Sequence, residues 1–132
     1  MGRRTIKQII EDNMENKNKK KIYIAGKISG LPIEEYTSNF EKAKQFLLAQ
    51  GYEVVSPIEH TKPTMKWEDC MKICLKLLID CDGIYFMSNW VCSRGAEIEY
   101  FFVLGTIRKF NNDFIIIEEE SKYHFGGYDC NY

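Results

Sequence analysis

The sequence predicts a three-layer α/β fold, in which a parallel sheet of about five strands is covered by helices on both faces. Short apolar runs rich in β-branched and aromatic residues alternate along the chain with longer segments of helical periodicity. The clearest run is Lys21–Ala25, which stops at Gly26 as a buried parallel strand ending in a loop would. Because strands and helices alternate, right-handed crossovers and a parallel sheet follow. This arrangement is flavodoxin-like or Rossmann-like.

The remaining predicted elements follow the first strand in a regular order. A helix carrying Phe40 and Leu47 on one face should end at Gly51, because glycine suits a left-handed helix cap. Further along we expect a strand at 52–56, a helix from 67 to 81, a strand at 83–87, a helix at 95–104 and a strand at 114–117. The expected inner face of the helix at 95–104 is Ile98, Phe101, Phe102 and Gly105.

This α/β domain is expected to occupy residues 21–120. Residues 1–20 are polar and lysine-rich, and we interpret them as a solvated appendage whose basic cluster, Lys17–Lys21, could alternatively touch phosphate. Residues 121–132 are aromatic and glycine-rich, so this tail is expected to pack on another surface. It could dock on its own domain or reach a neighbouring subunit.

Composition argues against several classes of function. The 18 Lys and Arg residues nearly balance the 19 Asp and Glu residues, so the chain lacks the basic excess of a protein that binds a nucleic-acid polymer. No apolar run could cross a bilayer or serve as a signal peptide, which predicts a cytoplasmic protein without a membrane partner. The five cysteines are an odd number without C-x-x-C spacing, so neither a zinc site nor a fully paired disulfide framework is expected. Cys74, Cys81 and Cys92 have apolar neighbours, and we expect them to be buried reduced thiols rather than redox or metal-binding residues.

Ligands of such folds bind beyond the carboxyl ends of the strands, which directs attention to the loops. The loop after the first strand contains Gly26, Lys27, Ile28, Ser29 and Gly30. It could bring backbone N–H groups, a hydroxyl and an ammonium group close to an anion. An ordinary turn would use the same small residues.

The loop before the third helix is the second candidate. Ser93 and Gly95 stand at the start of a helix, where unpaired N–H groups attract anions, although Ser93 could equally be a simple N-cap. Glu97 and Glu99 project about 200° apart on the helix, so only one can face a pocket. We expect Glu97 to pair with Arg94 on the surface and Glu99 to lie in apolar surroundings.

Three motifs together resemble a known superfamily: the strand Ile22–Ala25 followed by Gly26, the segment Cys81–Tyr85, and the pattern Ser93-x-Gly95-x-x-x-Glu99. They are similar to the nucleoside 2-deoxyribosyltransferases and the related 2'-deoxynucleoside 5'-phosphate N-hydrolases. The nearest likeness is to a branch frequent in phages. The resemblance covers about residues 21–105.

The resemblance implies roles for several residues. Glu99 would be the nucleophile that attacks the anomeric carbon, Tyr23 would orient it, and Ser93 would contact the sugar or phosphate. The loop Gly26–Gly30 would hold the ligand, although a packed core tyrosine is as good an explanation of Tyr23. The implied protein is a homo-oligomer that acts on a small nucleoside or nucleotide with neither cofactor nor metal.

One position departs from the superfamily pattern. The aspartate usually found eight residues before Asp82 is replaced by Cys74, and a thiol is a poor substitute for a carboxylic acid. Three functions therefore stay open: an N-glycosidic-bond enzyme, a non-catalytic module that binds or sequesters a nucleotide or nucleotide-derived signal, and a structural or interaction domain. Asp82 itself is expected to cap the start of the third strand.

Overall fold

A computed structural model of the chain describes residues 5–8 and 19–120. In this part of the chain four strands form one parallel sheet, which confirms the predicted three-layer α/β fold with one strand fewer than expected. The strands are β1 (Lys21–Ala25), β2 (Glu53–Val55), β3 (Gly83–Phe86) and β4 (Ile115–Glu118), and their order across the sheet is β2-β1-β3-β4. The predicted tail at 121–132 and most of the appendage at 1–20 lie outside the described residues.

The helices cover both faces of the sheet. They are α1 (Ile33–Ala49), α2 (Trp67–Ile79) and α3 (Arg94–Phe102), and α3 continues through a π-helical segment (Val103–Ile107) into a last α-helical turn (Arg108–Phe110). Successive residues of β1 point to opposite faces, so Ile22 and Ile24 pack with α1 while Tyr23 and Ala25 pack with α2 and α3. Tyr23 is thereby directed at the layer formed by α2 and α3.

The inner face of α3 differs from the prediction. Of the four expected residues, Phe102 is partly buried against the core, whereas Gly105 is exposed and Ile98 and Phe101 are exposed by 39% and 66%. The buried positions of this segment are Ala96, Glu99, Val103 and Ile107. The expected pattern followed the most apolar residues, whereas the true buried stripe contains a glutamate. The π-helical segment then adds a residue to the turn and shifts the phase of the helix.

Particular residues stabilise the end of α1 and the starts of β1 and β3. Gly51 has a φ of +91° just after α1, as expected for a left-handed cap. The Asp82 carboxylate accepts a hydrogen bond of 2.9 Å from the Lys21 backbone N–H and so joins the starts of β1 and β3, which matches its predicted structural role. Within the described ranges, no helix is both long and apolar enough to cross a membrane.

Replacing Gly83 with alanine tests the close packing of β1, β3 and β4. A Cβ atom there would lie 2.7 Å from the Ile115 Cβ and 2.8 Å from the Ile22 Cδ1, so we expect Gly83→Ala to lower the free energy of unfolding by about 1–3 kcal/mol in urea titrations. Gly105→Ala is the matched control, because a Cβ at Gly105 meets nothing within 4 Å. Equal effects of the two substitutions would contradict this packing.

Candidate active site

A cavity of about 900 Å³ lies beyond the carboxyl ends of β1 and β2, between the first turns of α2 and α3. Its volume is within the range of small-molecule sites. All nine residues that the sequence analysis singled out line this one cavity: Tyr23, Gly26, Lys27, Ile28, Ser29, Gly30, Ser93, Gly95 and Glu99. The two loops and the first strand thus contribute to a single site.

Glu99 is the buried carboxylate of this cavity. It is only 4% exposed, because the sequence places it on the buried stripe of α3. Burial raises the pKa of its carboxyl from 4.5 to about 8, and the Tyr23 hydroxyl offsets part of that rise. Its Oε2 atom is buried without a hydrogen-bond partner. A residue that lines the cavity thus carries a buried oxygen that the described part of the protein leaves unsatisfied.

Tyr23 is the neighbour that supports Glu99. Its side chain is 1% exposed and lies within hydrogen-bonding reach of both Glu99 and Cys74. Burial raises the pKa of Tyr23 well above its usual value, and the nearby Glu99 and Cys74 raise it further. Tyr23 therefore keeps its proton and can donate a hydrogen bond to the Glu99 carboxylate. Tyr23 and Glu99 are therefore neighbours, and the roles that the resemblance implies for them stay predictions.

Cys74 stands where the superfamily resemblance implies an aspartate. It lies on the inward face of α2, is 7% exposed and lines the cavity beside Tyr23. Burial raises the pKa of this free thiol to about 11, although the hydrogen bond with Tyr23 lowers it somewhat. The thiol is therefore neutral at physiological pH. It supplies neither a charge nor an efficient acid.

The loop after β1 depends on close contact with the loop after β3. A Cβ atom at Gly26 would overlap the terminal methyl group of Met87, so any larger residue there requires that flexible side chain to move. The Lys27 backbone N–H donates to the Asn89 side-chain oxygen at 3.0 Å, and Gly30 turns the chain with a φ of +85°. Sequence reasoning missed Asn89, although its place just beyond β3 was a usable signal.

The start of α3 combines a structural cap with a tight helix contact. The Ser93 Oγ accepts a hydrogen bond of 3.1 Å from the Ala96 backbone N–H, so the N-cap role is real, whether or not Ser93 also contacts a ligand. A Cβ atom at Gly95 would lie 3.2 Å from the Met71 Sδ of α2. Gly95 therefore lets the two helices approach beside the cavity.

The predicted surface pair between Arg94 and Glu97 was wrong. The Arg94 guanidinium carbon instead lies 5.3 Å from the centre of the Trp67 ring, as in a cation–π contact. This contact spans the first turns of α2 and α3 at the rim of the cavity. Pattern reasoning within one helix could not find it, because Trp67 is remote in sequence.

Two other carboxylates line the cavity, and both have partners elsewhere. Glu59 is paired with Lys44 at 2.6 Å, and Glu41 accepts a hydrogen bond of 2.9 Å from Gln45. Neither affects the pKa of Glu99, which responds to burial and Tyr23. Across residues 5–8 and 19–120, no group of three or more His, Cys, Asp or Glu side chains could hold a metal ion.

One cysteine differs from the expectation of reduced thiols. Cys70, Cys74 and Cys81 are free, as predicted for Cys74 and Cys81. Cys92, which is buried and also lines the cavity, is disulfide-bonded.

The fold and the site define a class of protein: a parallel α/β domain with a buried, incompletely paired carboxylate beside a cavity at the carboxyl edge of its sheet. The family model described as "Domain of unknown function (DUF4406)" matches residues 20–109 of the chain. The chain therefore belongs to that family. The matched segment contains all nine predicted site residues. None of the curated proteins compared with the chain matches it.

Burial of Glu99 predicts a specific dependence of stability on pH. The pKa of Glu99 is about 8 in the folded protein and ordinarily 4.5, so between these values the folded state keeps a proton that the unfolded state loses. The contribution of Glu99 to the free energy of unfolding therefore falls as pH rises through this window, by at most ~1.4 kcal/mol per pH unit.

Glu99→Gln keeps the shape of the side chain and removes this titration. Urea unfolding at several pH values should show the variant gaining stability relative to the wild type between about pH 5 and pH 8. A difference that is the same at both ends of the window would mean that Glu99 is not a buried, protonated acid.

Proposed function

We propose that the protein cleaves or transfers the N-glycosidic bond of a deoxynucleoside or deoxynucleoside 5'-monophosphate, with Glu99 as its nucleophile. The observation that carries this proposal is the buried Oε2 of Glu99, a residue of the cavity lining, which has no hydrogen-bond partner among the described residues. A buried polar atom without a partner costs a protein about 1–3 kcal/mol, so its presence in a cavity favours a role toward a ligand. The superfamily resemblance supports the same residue in the same role.

In the proposed reaction the ionised Glu99 carboxylate attacks the anomeric carbon as the bond to the base breaks. The product is a glycosyl ester of Glu99, which water or a second base then resolves. Tyr23 is proposed to donate a hydrogen bond to the carboxylate and fix its orientation. The loop Gly26–Gly30 and the start of α3 at Ser93 offer N–H groups and hydroxyls to the sugar or its phosphate.

Cys74 favours a second candidate function. The residue that the superfamily pattern expects as an acid is a neutral thiol, while the cavity and Glu99 are intact. A protein of this kind could bind or sequester a nucleotide or a nucleotide-derived signal without turning it over.

The proposed partner is a small nucleoside or nucleotide rather than a nucleic-acid polymer, because the formal net charge is only -1. A cytoplasmic location belongs to the proposal and is supported by the free thiols of Cys70, Cys74 and Cys81; the disulfide-bonded Cys92 is the observation against it. A homo-oligomer is proposed on the strength of the superfamily resemblance.

Chromatography of deoxynucleosides and their 5'-monophosphates, incubated with a free acceptor base, tests the proposal. We expect the wild type to release free base and Glu99→Gln to do so at least ~1000-fold more slowly, because losing a nucleophile removes most of the rate enhancement. Glu97→Gln is the matched control, since Glu97 lies two residues away on the same helix and does not line the cavity. Equal rates for the wild type and Glu99→Gln would contradict the assignment.

The same samples separate the second candidate from the first. If the wild type turns nothing over but a nucleotide at a hundredfold over its dissociation constant stabilises it by about 2.7 kcal/mol, the protein is a binding module. If the wild type shows neither turnover nor stabilisation, the remaining function is that of a structural or interaction domain.

Tyr23→Phe tests the support given to Glu99. Because the Tyr23 hydroxyl lowers the pKa of Glu99, the variant should move the rising limb of the kcat/KM profile to a pH above about 8 and reduce activity by ~10-fold or more. Tyr36→Phe removes a hydroxyl from the same cavity without acting on Glu99, so its profile should keep the wild-type limb. An unmoved limb in Tyr23→Phe would exclude the proposed role.

A further inference from the structure

We infer that the site selects N-glycosides whose base carries a fixed positive charge, such as N-glycosyl pyridinium compounds or N7-alkylated purine nucleosides and nucleotides. The inference rests on the proposed function and narrows its substrate class. Three features of the site support it: the groups beside Glu99, the lack of a cation acting on Glu99 among the described residues, and the chemistry of the cavity walls.

The first feature is that the described neighbours of Glu99 are poor acids. Tyr23 and Cys74 are the groups within its reach, and the pKa of the thiol is about 11 while that of the phenol is raised well above its usual value. The carboxylates of Glu41 and Glu59 have other partners and do not act on Glu99. A neutral purine or pyrimidine leaves as a poor anion unless it is protonated, and such protonation typically contributes about 10²–10⁴-fold. A base with a fixed positive charge leaves as a neutral molecule and needs no proton.

The second feature is that, within residues 5–8 and 19–120, no cationic side chain acts on the buried Glu99 carboxyl. Lys27, Lys62 and Arg94 line the same cavity, but none acts on the Glu99 carboxyl, whose environment is set by burial and Tyr23. A neighbouring opposite charge favours the ionised form of a carboxyl group. A substrate that carries its positive charge next to the anomeric carbon would bring that charge to Glu99 and promote the ionisation that attack requires.

The third feature is the composition of the cavity walls. Asn, Gln, Asp and His are not among the described lining residues, so the side-chain amides, imidazoles and aspartates that commonly read the edge of a neutral base are missing there. Apolar side chains contribute much of the wall instead, among them Ile28, Ile33, Ile58, Met65 and Met71. The apolar part of these walls suits a flat, weakly hydrated aromatic ring. Because Lys27, Lys62 and Arg94 also line the cavity, the positive charge of such a ring is proposed to lie beside Glu99 rather than beside them.

The reaction balances without any further reagent. An Oε atom of ionised Glu99 forms a bond to the anomeric carbon while the glycosidic C–N bond breaks, and its electron pair goes to the positively charged ring, which leaves as a neutral base. Water then attacks the anomeric carbon, the ester bond to Glu99 breaks, and one proton passes to the solvent. The carboxylate is restored, and the sugar gains a hydroxyl group.

The full-length protein can be tested with matched pairs of substrates. The first pair is 7-methyl-2'-deoxyguanosine and 2'-deoxyguanosine, with their 5'-monophosphates as a second pair, and nicotinamide riboside, nicotinamide mononucleotide and NAD+ represent the pyridinium source. Spontaneous hydrolysis is subtracted with the folded Glu99→Gln variant. We expect kcat/KM to favour the charged member of a pair by ~100-fold or more.

The possible results are distinct. Comparable kcat/KM values within the pairs would overturn this inference while leaving the N-glycosidic-bond function intact. Absence of cleavage of every substrate by the folded wild type would remove the proposed function and this inference with it. Preference for the pyridinium compounds over 7-methyl-2'-deoxyguanosine, or the reverse, identifies the source of the charged base.

Substitution at Cys74 gives a second test that does not depend on intrinsic reactivity. Cys74→Asp should supply the missing acid and reduce the preference for charged substrates at least tenfold, mainly by raising the rate on neutral ones. Cys74→Ser removes the thiol without adding an acid, so its preference should match that of the wild type. Circular dichroism verifies that each variant is folded, and an unchanged preference in folded Cys74→Asp would refute the explanation.

Discussion

The burial of one carboxyl group, that of Glu99, is the constraint on which the rest of the site depends. Three elements must meet for it to exist: α3 carries Glu99, β1 presents Tyr23 to the same layer, and α2 closes the space with Cys74. The cost of burying the group falls when it holds a proton, which is why its pKa is about 8. The fold thereby holds a carboxyl group whose pKa is close to neutral pH in a place that solvent hardly reaches.

Most of the fold could be predicted because its signals are local. The strands at 21–25 and 83–86 are short apolar runs, and Gly51 and Ser93 mark helix ends by their own backbone and side-chain chemistry. The inner face of α3 could not be predicted in this way. Its buried stripe contains a glutamate, while the exposed face carries Phe101, so hydrophobicity alone selects the wrong side.

The grouping of the candidate residues around one cavity could be predicted for a different reason. In a parallel sheet the loops that follow the strands meet at one edge, so residues as distant in sequence as Gly26 and Ser93 were expected at one place. Contacts that depend on tertiary packing were not predictable. The hydrogen bond from Lys27 to the Asn89 side chain needs the exact spacing of two loops, and the contact of Arg94 with the Trp67 ring needs the angle between two helices.

Having Cys74 instead of an aspartate affects the titration of Glu99 as well as the supply of a proton to the leaving base. A carboxylic acid at this position would share Tyr23 with Glu99, and two carboxyl groups in one apolar site push their pKa values apart until one stays protonated as an acid. A thiol whose pKa is about 11 stays neutral, so it leaves Glu99 as the group that titrates near neutral pH among these three residues. The charge state of the site is then governed by what enters it. Under the proposed mechanism, a neutral ligand would leave Glu99 largely protonated, whereas a cationic ligand would favour its ionised form, so that the ligand itself would determine whether the proposed nucleophile is available.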